Sequence, residues 1–237
     1  MQRYFSKELK NDKFTLSDDD LYHITKVMRM KTGSLIEVVY EHEVYICTLD
    51  ITDKVDAFIK EKRLANNEDQ NEVALIVPLL KEQKMDLILQ KATELGVTMI
   101  IPVIMERSII KLDSSKEDKR IERWTRICKE AAEQSKRVDI PIVTRIKTLK
   151  ELGNLDGLKI VCSTSEKNLN LKKFLTTQKK CDRINIVVGP EGGISPKEED
   201  LLVTLGFTKV SLGNRIMRVE TVPLFIMSAL NYEYMEW

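Results

Sequence analysis

Histidine is almost missing from this chain: His23 and His42 are the only two in 237 residues. That argues against a His/Cys zinc site and leaves a Ser–His–Asp or Cys–His relay without an evident base. No metal ligand set suggests itself. The four cysteines, Cys47, Cys128, Cys162 and Cys181, show no CxxC spacing, and most sit in apolar or periodic segments. They are expected to be reduced, mostly buried thiols of a cytoplasmic protein. No apolar run approaches the roughly 18 residues a membrane span needs. The first residues, MQRYFSKELK, lack the apolar core of a signal peptide. One sign of charge does not dominate either. Residues 1–68 hold 11 basic and 13 acidic side chains, and the remainder hold 27 and 24. A nucleic-acid partner would have to be met by local patches rather than by a strongly basic domain.

Glycine is also sparse, nine residues in all, yet three fall within Gly189-Pro190-Glu191-Gly192-Gly193. An apolar, β-branched run, Ile184–Val188, leads into this turn and reads as a strand buried on both faces. Ser195-Pro196-Lys197-Glu198 then reads as a helix start, with Ser195 as N-cap, Pro196 in the first turn and Glu198 closing a capping box. A second short strand over 209–212 ends at Gly213 and is followed by Arg215, Arg218 and Glu220-Thr221. Two glycine-broken strand ends in one sheet imply neighbouring backbone loops, and open α/β sheets bind ligands outside the carboxyl ends of their strands. The pattern is neither a spaced GxGxxG nor a P-loop, so the loops imply a ligand but not a standard phosphate cradle. Ordinary tight turns are the alternative reading.

Two domains are expected. Residues 1–68 show short alternating strands, clearest in 34–39 and 44–50, around a helical piece at 21–27 that follows Asp18-Asp19-Asp20. This predicts a small β-rich domain, a partly closed barrel. Here His23, Arg29 and Lys31 are candidates to face phosphate, with a structural histidine and plain surface charges as the alternatives. Residues 65–71 are polar and unpatterned and read as the linker. From residue 72 onward strands alternate with helices: strands over 73–80, 98–105 and 158–162, helices over 82–95, 115–134 and 171–177, and a final helix over 221–235. A mostly parallel, helix-covered sheet follows. The final helix places Leu224, Met227, Ser228 and Asn231 on one stripe.

Three groups in this second part carry chemistry: Arg107 with Ser108, then Glu133-Gln134-Ser135-Lys136-Arg137, then Arg215, Arg218 and Glu220. An arginine fork can hold a phosphate or a base edge, and Gln134 can read an amide-like edge. Each group alone could equally be a surface ion pair or a helix cap. Arg107 and Arg215 both follow strand ends, which places them with the glycine loops if the sheet is parallel. With no hydrolase relay and no close carboxylate pair, the residues favour group transfer in which a cosubstrate carries the reacting group.

Four segments, at sensible spacing and in order, resemble one known family. They are Lys91-Ala92-Thr93-Glu94-Leu95-Gly96-Val97, then Ala131-Ala132-Glu133-Gln134-Ser135 with Arg137, then Val188–Gly193, then Leu212-Gly213-Asn214-Arg215-Ile216-Met217-Arg218-Val219-Glu220-Thr221. The chain is similar to the 16S ribosomal RNA uracil-N3 methyltransferases of the SPOUT superfamily over nearly its full length. Arg3-Tyr4-Phe5 and His23 with Val27-Met28-Arg29 fit as well. The resemblance implies an α/β C-terminal domain with a deep trefoil knot over 72–237, a PUA-like RNA-binding β-barrel over 1–68, a homodimer, S-adenosylmethionine as methyl donor and the 16S rRNA of the small ribosomal subunit as partner. It maps the donor site onto Ser163 and Thr164, onto Gly189, Pro190, Glu191, Gly192 and Gly193, and onto Leu212, Gly213, Ile216, Met217 and Val219. It makes Arg215, Arg218 and Glu220 the catalytic candidates and Arg3, His23, Arg29, Lys31, Arg107, Gln134 and Arg137 the RNA-binding ones. It further implies that the stripe on the last helix is an exposed interface. The base that accepts the uracil proton stays open between Glu220, Glu191, a backbone carbonyl and water. A non-catalytic ribosome-assembly factor and a knotted enzyme acting on tRNA are the alternative functions. Two departures stand out: Val222-Pro223 where the family carries a small residue, and Glu41-His42-Glu43 where it carries a tight Asp-Gly turn.

Overall fold

The computed structural model describes residues 1–52, 54–63, 71–110, 114–178 and 181–234. Most of the expected linker, 65–70, and Met235 at the end of the last helix lie outside the described residues. The chain divides into two compact units. The first comprises Met1–Glu68 together with Ala132–Asp139, and the second Asp69–Ala131 together with Ile140–Trp237.

The first unit is built on a six-stranded sheet in the order β1-β4-β5-β6-β3-β2. Its strands are β1 (Arg3–Phe5), β2 (Leu9–Lys10), β3 (Lys13–Phe14), β4 (Leu35–Tyr40), β5 (Glu43–Ile51) and β6 (Val55–Arg63). Only β1 and β4 pair in parallel. Alternation places Ile36, Val38, Leu49 and Ala57 in one core with Tyr4, Phe14 and Ile24. A register shift between Ile46 and Cys47 breaks the period, so both are buried. The β4–β5 turn runs through Glu41 and His42, both left-handed at φ 49 and 62. Two left-handed central residues match the strand twist, so this hairpin closes without the glycine usually used. Helix α1 (Asp18–Tyr22) starts on Ser17, whose side chain and that of Asp20 form a capping box. The three aspartates thus do more than face the helix dipole: one of them closes the cap. The helix runs into a π-turn over His23–Val27.

The second unit has a seven-stranded sheet in the order β10-β8-β7-β12-β11-β13, with β9 on β8. The strands are β7 (Glu72–Pro78), β8 (Met99–Ile104), β9 (Ile142–Val143), β10 (Lys147–Thr148), β11 (Leu158–Cys162), β12 (Arg183–Val187) and β13 (Thr208–Val210). Every pairing is parallel. Parallel strands demand crossovers, which supply the covering helices. These are α2 (Glu82–Glu94), α3 (Glu117–Gln134), α4 (Leu171–Thr177), α5 (Pro196–Thr204) and α6 (Thr221–Tyr234). The continuous apolar runs split by parity. Val73, Leu75, Val77, Ile184 and Ile186 join Met85, Ile88, Leu89, Trp124, Phe174 and Ile226 on one face. Ala74, Ile76, Val187 and Val161 join Leu149, Leu152, Leu202 and Phe207 on the other. Each buried aliphatic side chain contributes about 1.5–3 kcal/mol, so both faces help hold the sheet.

Of the α6 stripe expected to be exposed, one residue departs: Ser228 is exposed and Leu224 and Asn231 are half-buried, but Met227 is in the core. Met227 is fully buried, and the core-facing set is Pro223, Ile226, Met227 and Leu230. That set has the same i, i+3, i+4, i+7 spacing displaced by one residue, about 100° of helix. Phe225 and Tyr232 instead face outward.

Candidate functional site

Because all strands of the second unit run one way, their carboxyl ends share one edge. Among the segments that leave it are Leu79–Lys81 after β7, Met105–Ser108 after β8, Ser163–Glu166 after β11, Val188–Gly193 after β12 and Ser211–Glu220 after β13. The three predicted donor loops follow three adjacent strands, β12, β11 and β13, and are therefore neighbours.

Helix α5 anchors this edge. Its N-terminus carries the capping box read from the sequence: Ser195 Oγ accepts from the Glu198 amide, and Glu198 Oε2 accepts from the Ser195 amide at 3.0 Å. The same two side chains reach the segment after β8. Ser195 Oγ donates to Glu106 Oε2 at 2.7 Å, and the Glu106 amide donates to Glu198 Oε1 at 2.7 Å. One residue on, Arg107 Nη1 donates to the Gly192 carbonyl at 3.0 Å. Arg107 is thus placed against the glycine loop. The loop itself closes with the Gly193 amide donating to the Pro190 carbonyl at 2.8 Å. A Cβ on Gly189 would lie 2.7 Å from Ile194 Cγ1, so the strand exit demands a bare backbone. Gly213 has φ 115 with nothing within 4 Å of its would-be Cβ. Open space beside exposed backbone is what a ligand cradle requires.

The first loop is tied by its own hydroxyls. Ser163 Oγ donates to Glu199 Oε1 at 2.6 Å and Ser165 Oγ to Glu199 Oε2 at 2.8 Å. Ser163 is buried and its side chain is engaged, so it offers a ligand backbone rather than hydroxyl; Thr164 is exposed. In the third loop Leu212 and Met217 are half-buried, Val219 is buried, and Ile216 is 87% exposed. Arg215 and Arg218 are exposed and make no ion pair among the described residues.

Two carboxylates meet one ammonium here. Lys84, in the first turn of α2, lies 2.8 Å from Glu191 Oε1 and 3.6 Å from Glu220 Oε2. Burial pushes the Glu191 carboxyl up, but the Lys84 ammonium and a backbone amide more than reverse this and hold it below the usual carboxylate range. Among the described residues Glu220 Oε2 and Ser108 Oγ are covered atoms with no hydrogen-bond partner. Both are polar groups with capacity left for a ligand.

In the first unit the candidates separate into two kinds. Arg29 and Lys31 are exposed, and Arg29 takes a left-handed backbone at φ 50. His23 is half-buried, its Nδ1 2.9 Å from the Tyr4 hydroxyl. Arg3 and Arg137 are engaged. Arg3 Nε lies 3.0 Å from Glu37 Oε2, and its Nη1 donates to the carbonyls of Lys136 and Arg137. Arg137 is buried and pairs with Asp139 at 2.8 Å. Glu37 is pushed up by burial and pulled down further by Lys136 and Arg3, so it stays ionised. Gln134 ends α3 and is exposed.

Sequence reading passed over Lys84, Glu106, Glu199 and Lys209. Each sits on an element flanking the site, but none stands in a strand-end loop with a glycine. Only the strand order shows that their side chains converge.

Residues 67–231 match the RNA methyltransferase domain family. The chain is 34% identical to ribosomal RNA small subunit methyltransferase E of Bacillus subtilis, over 98% of this chain and 97% of that protein. It is 33% identical to the protein of the same name from Mesomycoplasma hyopneumoniae, over 96% and 98%. The crystal structure of a ribosomal RNA small subunit methyltransferase E from Neisseria gonorrhoeae bound to S-adenosyl methionine is 30% identical and superposes with a TM-score of 0.88 over 99% of this chain and 98% of that one. With such similarity running end to end, the chain belongs to the ribosomal RNA small subunit methyltransferase E family.

Proposed function

We propose that this chain transfers a methyl group from S-adenosylmethionine to N3 of a uridine in the 16S rRNA of the small ribosomal subunit. The observation that carries this is the convergence of three loops after adjacent parallel strands, at the sheet edge of a member of this family. The donor supplies an electrophilic methyl on a sulfonium sulfur. The residues fit such a group: Gly189 needs a bare backbone and Gly213 borders open space. Ser163 and Thr164, Gly189–Gly193, and Leu212, Gly213, Ile216, Met217 and Val219 would hold it, largely through backbone amides and carbonyls.

Uracil N3 carries a proton and is a poor nucleophile until that proton leaves. We assign its acceptance to Glu220 Oε2, the covered acceptor without a hydrogen bond. Arg215 and Arg218, exposed and without ion pairs among the described residues, hold RNA phosphate or balance charge on the uracil carbonyls. N3 is hidden in a base pair, so the target uridine must be unpaired or extruded. Arg29, Lys31 and His23 on the first unit, with Arg107 and Gln134, contact RNA. Arg3 and Arg137 shape that surface through their existing partners.

We further assign residues 1–68 to a PUA-like barrel and 72–237 to a knotted SPOUT domain. The position of β12 between β7 and β11, with β13 beyond β11, supports the second assignment. The outward Phe225 and Tyr232 of α6 support a homodimer, and the rRNA substrate supports a cytoplasmic location. Among the described residues no helix is long and apolar enough to cross a membrane.

The test is nucleoside mass spectrometry of small-subunit rRNA from cells lacking this gene and cells regaining it. N3-methyluridine should vanish and return. Arg218→Ala should abolish methylation while leaving donor binding by isothermal titration largely intact. Lost donor binding would make Arg218 part of the donor cradle instead.

A further inference from the structure

We propose that Glu199 is a positioning residue for the methyl-donor site, holding the elements that carry all three donor loops in one register. The inference rests on the donor assignment above.

Glu199 stands in the first turn of α5, the helix that begins where the loop after β12 ends. Its side chain does not point to solvent as a first-turn acid on a surface helix would. It is 12% exposed and spends both oxygens on neighbouring elements. Oε1 accepts from Ser163 and Oε2 from Ser165, and the two hydroxyls lie 2.9 Å apart. The Ser165 amide also donates to Ser163 Oγ at 3.1 Å, which folds the loop over the carboxylate. From the other side Lys209 Nζ of β13 approaches Oε2 at 3.5 Å. One carboxylate therefore joins the loop after β11, the helix after the second loop and the strand before the third.

The chemistry explains why an acid is needed. Two hydroxyl donors converge on two acceptor oxygens, and a carboxylate alone among side chains offers two acceptors and no donor. An amide at this position would accept from one hydroxyl, force the other to turn its proton away and accept from the NH2, and lose the charge that strengthens both bonds. Hydrogen bonds to an ionised acceptor are stronger and shorter than neutral ones, so the loop is fixed before a ligand arrives. Preorganisation of this kind is felt mainly as affinity, because a loop that must be ordered on binding weakens the complex.

The experiment uses the full chain and Glu199→Gln, Glu199→Ala, Ser165→Ala and the double variant Ser163→Ala/Ser165→Ala. Donor affinity is read by isothermal titration with S-adenosylmethionine, folding by thermal melting, and turnover at saturating donor with 30S-derived RNA. Glu199→Gln should weaken donor binding about tenfold and Glu199→Ala somewhat more. For the two Glu199 variants, turnover at saturating donor should stay within about threefold, because the reacting groups are untouched. Combining Glu199→Ala with the double serine variant should be no worse than either alone, the signature of one shared interaction. Ser165 is exposed, so Ser165→Ala keeps the proposal testable should Glu199→Ala fold poorly; it should weaken donor binding with an unchanged melting temperature. Wild-type donor affinity in folded Glu199→Gln, or fully additive effects in the combination, would overturn the proposal. Failure of the wild-type chain to bind the donor at all would instead overturn the donor assignment.

Discussion

The two edges of the parallel sheet are made from similar chain but answer to different demands. At the amino edge, buried polar side chains serve the backbone. Asn185, fully buried, donates to the Asp156 carbonyl at 2.7 Å, and Asn231 of α6 donates to the Leu95 carbonyl at 3.0 Å. Turns there are tight, and Gly157 at φ 91 lies against the backbone of Arg183. At the carboxyl edge, charged side chains serve one another across loops: Lys84 with Glu191 and Glu220, Glu106 with Ser195, Glu199 with two serines. The first arrangement closes orphan backbone groups, and it leaves Asn185 Oδ1 covered without a hydrogen-bond partner among the described residues. The second keeps charge and covered acceptors beside exposed glycine backbone. Substitutions at the two edges should therefore fail in different ways, one in stability and the other in binding.

The sharpest break of that contrast is Gly157→Ala. Its Cβ would meet the Arg183 carbonyl oxygen at 2.4 Å and take a left-handed φ. A loss of about 3 kcal/mol, or roughly 6–12 °C in melting temperature, is expected. Donor affinity below the melt should be unchanged. Asn185→Ala should cost about 1–2 kcal/mol by the same measurement, again with intact donor binding. Across the sheet, Gly189→Ala should reverse the pattern. The new methyl must displace Ile194, and titration should show donor affinity down about tenfold, or 1.4 kcal/mol, with a smaller fall in melting temperature than Gly157→Ala.

Lys84→Met gives the smallest effect and a pH signature. The folded state holds Glu191 below its ordinary value. Its contribution is therefore present above the unfolded carboxylate value of about 4.3 and is lost as pH falls through the folded value. An exposed pair of this kind contributes little to stability. Denaturant midpoints of wild type and Lys84→Met should differ slightly at pH 7 and converge as pH falls through the lowered Glu191 value. A gap unchanged at low pH would remove the pair from the account.

Local signals survived the passage from sequence to structure, and convergent ones did not. Ser195, Pro196 and Glu198 announce a helix start because capping chemistry is confined to four residues. The apolar run 184–188 announces a doubly buried strand for the same reason. Glu106 lies 89 residues from its partner Ser195 and Glu199 lies 36 from Ser163, and nothing local links either pair. Their roles appear only once β8, β12, β11 and β13 are ordered side by side. The burial of Met227 on α6 was not legible, because Leu224 and Pro223 are both apolar. Periodicity alone does not fix the phase of a helix whose polar residues are few. Arg3 and Arg137 read as cations for RNA, and only coordinates reveal that Glu37, Asp139 and backbone carbonyls already occupy them.

The central position of β12 has a consequence for how the molecule is made. β7 and β8 can pair as soon as they leave the ribosome, but the other flank of β7 waits for Arg183–Val187, about a hundred residues later. At roughly 5–20 residues per second, an apolar strand edge stands unguarded for about 5–20 s. During that interval its bare amides and carbonyls are open to any extended peptide nearby. A nascent enzyme of ribosome maturation thus passes through a vulnerable interval set by strand order, and its yield in the cell should depend on how well that edge is shielded until synthesis catches up.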